Sequence, residues 1–88
     1  MSELSRFYGI VIAIFSEIGA QHNKAHIHAR YAEFKASYDL DGVLIAGQMP
    51  PTANKLIKEW ISRHFDELQD AWDKSLSGEY PGKIEPLK

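Results

Sequence analysis

Two runs of this chain alternate strictly between apolar and polar side chains, and a third follows a different period. In residues 25–31, Ile27, Ala29 and Tyr31 form an apolar row against His26, His28 and Arg30. In residues 33–39, Phe34, Ala36 and Tyr38 oppose Lys35, Ser37 and Asp39. A period of two is a strand with one face on a core, and a short link at Ala32 and Glu33 makes the pair a hairpin. After Pro50-Pro51-Thr52 the spacing becomes three and four: Ala53, Leu56, Ile57, Trp60, Ile61, His64, Phe65, Leu68, Trp72 and Leu76. That is the apolar stripe of one amphipathic helix, entered through prolines that its first turn tolerates.

The flanks complete an α+β architecture. Residues 7–15 (FYGIVIAIF) are β-branched, aromatic and apolar on both faces, which reads as a first strand covered on both sides, with Gly9 marking a bulge or a close backbone approach. Asp41-Gly42 is a tight-turn signal leading into a strand at 43–48. The reading is a four-stranded antiparallel meander (about 7–15, 25–31, 33–39 and 43–48) packed on one long C-terminal helix, about 52–77, with a tail over 79–88. Gly78 and Tyr80-Pro81-Gly82 end the helix. All 88 residues form a single domain.

A helix of this length is longer than the sheet it covers. At about 1.5 Å per residue it spans roughly 37 Å, against roughly 23 Å for a seven-residue strand. The overhanging stripe needs a cover: the tail through Ile84, Pro86 and Leu87, a kink near Ser62–His64, or a second subunit. The small core weighs toward a homodimer, with Phe65, Leu68 and Trp72 as its interface.

With 10 basic and 12 acidic residues, the net charge of −2 offers no global attraction for nucleic acid, so such binding would rest on a local patch of Arg30, Lys35, Lys24 and histidine. The absence of cysteine excludes disulfides and thiolate metal sites and fits a cytoplasmic protein. The apolar run at 7–15 is too short to span a bilayer, and its removal as a signal would take away a strand, so neither export nor membrane insertion is expected.

The chemistry sits in His22, His26 and His28. Alternation places His26 and His28 on one sheet face, with His22 arriving from the preceding loop. Three imidazoles suit a divalent metal such as zinc with an open coordination position, which His64 or Asp39 could complete or orient. Two histidines near neutral pKa with Arg30 beside them also suit acid–base work on a phosphodiester, making His26, His28 and Arg30 the catalytic candidates. The third reading is a polar, solvent-facing surface on a protein-interaction module, which needs no ligand. The chain has no phosphate-binding glycine loop, nucleophile elbow or zinc-finger spacing.

The order of features resembles the small prokaryotic proteins grouped as domain of unknown function 4160. The resemblance runs through Ser5-Arg6-Phe7-Tyr8-Gly9-Ile10, His22 with His26-Ile27-His28-Ala29 and Tyr31, the Gly47–Pro50 junction, and Glu59-Trp60, Glu67-Leu68 and Trp72. Where the family typically carries two prolines before the second histidine, this chain has Asn23-Lys24-Ala25. Such proteins are often encoded beside another small protein in an arrangement like that of toxin–antitoxin pairs. The resemblance thus implies an interaction or regulatory protein with an operon-encoded partner; the alternative is a histidine-based, metal-dependent hydrolase or ribonuclease centred on His22, His26 and His28.

Overall fold

A computed structural model describes residues 2–15 and 24–87. Five strands form one antiparallel sheet in chain order: β1 (Ser2–Phe7), β2 (Ile10–Ile14), β3 (His26–Tyr31), β4 (Phe34–Asp39) and β5 (Leu44–Gly47). Two helices follow, α1 (Pro51–Arg63) and α2 (Phe65–Leu76). The class is α+β with an antiparallel meander, as the alternation implied; the sheet has one more strand and the helical layer one more helix.

The extra strand comes from a turn inside residues 7–15. Tyr8 and Gly9 both take positive φ (50° and 81°), the geometry of a two-residue hairpin turn. Phe7 then pairs with Ile10, and Ser2 reaches Ile14 across a bulge near Leu4. The two-faced apolar pattern is explained by this fold-back. Phe7, Ile10, Ile12 and Ile14 all enter the core, whereas Val11, Ala13 and Phe15 fall on the opposite face.

The long helix is broken at His64, which leaves helical geometry at φ −123° and ψ 27° and gives its N–H to Trp60 O and Ile61 O, each at 3.2 Å. Arg63 closes α1 and Asp66 and Glu67 open α2, so each new helix end carries the charge that suits its dipole. The molecule measures 33 × 24 × 21 Å, shorter than the unbroken helix would be, and the break keeps the apolar stripe over the sheet. The tail supplies the remaining cover: Ile84 and Leu87 are buried, the Ile84 N–H donates to Leu4 O at 2.7 Å, and the Trp60 Nε1–H donates to Glu85 O at 2.9 Å. Of the three residues assigned to a dimer interface, Leu68 and Trp72 are buried within the chain itself, at 0% and 5% exposure, while Phe65 is 42% exposed. Among the described residues, no helix is long and apolar enough to cross a membrane.

Candidate functional site: the open face of the sheet

The sheet register decides which polar groups meet. Val11, Arg30 and Lys35 lie in one row across β2, β3 and β4; Ala13, His28 and Ser37 lie in the next, and Ala46 of β5 extends it. A bulge between Ser37 and Tyr38 sets β5, since Ser37 faces Ala46 while Tyr38 faces Leu44, leaving Ile45 as the extra residue. Gly47 reaches positive φ at 84°, and its N-terminal neighbours on β5 are small or open to solvent. The result is a groove of about 430 Å³ on the face away from the core. Val11, Ala13, Ala46 and Gly47 floor it, and Phe15, His28, Ser37, Arg30 and Lys35 stand around it.

His26 and His28 share one face, as alternation required, with ring centroids 5.1 Å apart. The His26 Nδ1–H donates to Lys24 O at 2.7 Å, and its ring also packs 5.1 Å from Trp72. The His28 Nδ1 lies 3.3 Å from Ser37 Oγ, and its ring stacks obliquely on Phe15 at 4.1 Å. Arg30 is exposed two residues further along the same row of β3. His22 lies outside the described residues.

The two groups considered as additional ligands are engaged elsewhere. The Asp39 Oδ1 accepts the N–H groups of Asp41 and Val43, both at 2.9 Å, and Oδ2 meets Lys24 Nζ at 3.0 Å. Burial pushes the Asp39 carboxyl up, but these hydrogen bonds outweigh it and hold the group below its ordinary pKa. Asp39 is therefore the clip of the β4–β5 turn. His64 sits at the helix break, 2.7 Å from Glu67 Oε1 and with its ring 5.2 Å from that of Trp60. Among the described residues, no three His, Asp or Glu side chains are placed to hold a metal ion.

Phe15, Ser37 and Ala46 are parts of the groove that the sequence reading did not single out. The signal for Ser37 was present, since a residue in phase with Lys35 and Asp39 must share the histidine face. The signal for Ala46 was not, because its position depends on the β5 bulge.

Searches of curated proteins and of solved structures find no match. A family model does match, over residues 9–73, the span that starts at the β1–β2 turn, takes in the groove and both histidines of β3, and ends in α2. The chain belongs to that family, described as Domain of unknown function (DUF4160).

Proposed function

We propose that this chain is a protein-interaction module whose docking element is the outer edge of β5, and that its occupant is a second copy of the chain. The observation that carries this is the contrast between the two sheet edges. The β1 edge is covered by the tail through Ile84 and Leu4, whereas Val43, Leu44 and Ile45 beside the β5 edge are 56%, 42% and 51% exposed. Sheet edges are ordinarily guarded by charge, and residues 43–54 contain none.

An uncharged edge also suits self-pairing. Two copies of β5 running antiparallel obey a two-fold axis, so a residue at the axis faces its own equivalent and its neighbours face each other in reverse order. A charged edge would oppose like charges there; Leu44, Ile45 and Ala46 oppose only apolar surface. Leu44 also borders a shallow hollow with Phe34, Met49 and Pro50, so a paired strand would meet apolar surface beyond the edge itself.

Light scattering coupled to size exclusion tests the reading. The protein is expected at twice the mass of one chain at micromolar concentration, and Ile45→Lys is expected at the mass of one chain with an unchanged circular dichroism spectrum. A wild-type monomer at about 1 mM, or a dimer that survives Ile45→Lys, overturns it.

A further inference from the structure

We infer that the groove on the open sheet face is a binding site for a nucleoside phosphate, with the phosphate held between Arg30 and Lys35 and the base lying toward Phe15 and His28. The first support is a local charge conflict. Arg30 and Lys35 are directly opposite each other in the β3–β4 ladder, an arrangement of like charges that weakens a sheet. Among the described residues neither has a carboxylate at ion-pair distance. Glu3, whose carboxylate feels the charge of Arg30, is itself paired with Arg6 at 2.7 Å. Two adjacent cations on a solvated face form a site for an anion whose oxygens can bridge them.

The second support is the shape and lining of the groove. About 430 Å³ is within the range of small-molecule sites, and the floor of Val11, Ala13, Ala46 and Gly47 is apolar and low, so a flat body can lie against it. Two residues along a strand from the cationic row, roughly 6.7 Å away, is the row of His28, and Phe15 stacks on that ring while staying 37% exposed. Cations at one end and aromatic rings at the other match a phosphate and a base joined by a sugar. Stacking on the side chains of an open antiparallel sheet is an established physical means of holding an unpaired base. The ligand has two sources, a free nucleotide or one unit of a single strand, and the site uses the open face of the sheet rather than the outer edge of β5.

The test is an NMR titration at roughly 50 mM salt with three probes: inorganic phosphate, adenosine monophosphate and a single-stranded octaadenylate. Adenosine monophosphate is expected to shift Arg30 Nε–H, Lys35 and the amides of Ala46 and Gly47. Its affinity should be at least about fivefold above that of inorganic phosphate. Lys35→Glu is expected to lower the affinity at least about tenfold while raising the urea midpoint, because the same change replaces a repulsive pair with an attractive one. An octaadenylate that binds about tenfold tighter than the monophosphate, with a steep salt dependence, supports the site and assigns it to a strand; equal affinities support it and assign it to the free nucleotide. The proposal is overturned if about 5 mM monophosphate moves none of these signals, if it binds no better than inorganic phosphate, or if Lys35→Glu binds as the wild type does.

Discussion

Gly47 and Gly82 have almost the same backbone conformation and entirely different surroundings, which allows the contact that seats β5 to be measured. Their φ angles are +84° and +85°. A Cβ at Gly82 would meet nothing within 4 Å, whereas one at Gly47 would overlap the Lys35 carbonyl oxygen and lie 2.9 Å from Ala36 Cα. Gly82→Ala thus reports the left-handed strain alone, about 1–2 kcal/mol, offset in part by roughly 0.5 kcal/mol from a stiffer unfolded chain. Gly47→Ala carries the same strain plus a collision with the backbone of β4, which no rotamer can relieve. Strand β5 must move off, giving up the Gln48 N–H bond to Lys35 O at 3.0 Å and its neighbours in the ladder. At about 1 kcal/mol per bond the total reaches roughly 3–4 kcal/mol, a large share of the stability of a domain this size. With a urea m-value of about 1 kcal/mol/M, the midpoint should fall by roughly 3 M for Gly47→Ala and about 1 M for Gly82→Ala. A Gly47→Ala chain that fails to fold beside a folded Gly82→Ala chain has the same meaning. Two variants within about 1 kcal/mol of each other would refute the close approach of β5 to β4.

Two further outcomes follow from the tail and the turn. Trp60→Phe removes the donor to Glu85 O and should cost about 1–2 kcal/mol, with faster hydrogen exchange at the Ile84 amide, since the segment that covers the β1 edge loses one of its anchors; unchanged exchange there would show that the tail does not depend on this bond. Asp39 is held below its ordinary pKa in the folded protein, so between the folded and unfolded values the unfolded chain binds more protons and stability rises with pH. Its contribution is complete above the unfolded value of about 3.9 and is lost as pH falls through the lower folded one. Asp39→Asn should flatten that acid limb, and parallel stability curves for the two proteins from about pH 5 to pH 2 would remove Asp39 from its role as the turn clip.

The middle of the sheet was readable because its signals are local and agree. Alternation fixed the faces of β3 and β4 within a residue of their ends, and with them the placement of His26, His28 and Arg30 on one surface. Strand β1 was not readable because a hairpin turn of this type ordinarily uses Asn, Asp or Gly first, and here Tyr8 occupies that position at φ 50°. The helix break has neither proline nor glycine to announce it. Its first signal was the overhang of the stripe beyond the sheet, which left a kink near Ser62–His64 as one of three ways to cover it. Its second was a reversal of charge, Arg63 followed by Asp66 and Glu67, which is the pattern of one helix ending and another beginning. The groove needs the β4–β5 register, and a bulge of one residue cannot be read from residues that are apolar on either side of it.

The two edges of the sheet locate where binding can occur. Strand β1 and the tail, which lie outside the family span of 9–73 apart from the turn that begins β2, close one another: Ile84 bonds Leu4, and Lys83 lies 3.9 Å from the Glu3 carboxylate. The charged groups Glu3, Arg6 and Lys83 on that side are therefore paired within the chain, as are Lys24 and Asp39 at the far end of β4. The Arg30–Lys35 row on the β3–β4 ladder and the uncharged β5 edge beyond it have no such partners among the described residues. A fold that satisfies one edge with its tail, yet leaves the other bare and sets two cations opposite each other on its open face, has two unbalanced features, one at the β5 edge and one on the β3–β4 ladder. Lys35→Glu and Ile45→Lys should each leave the fold intact, the first weakening nucleotide binding and the second breaking self-association.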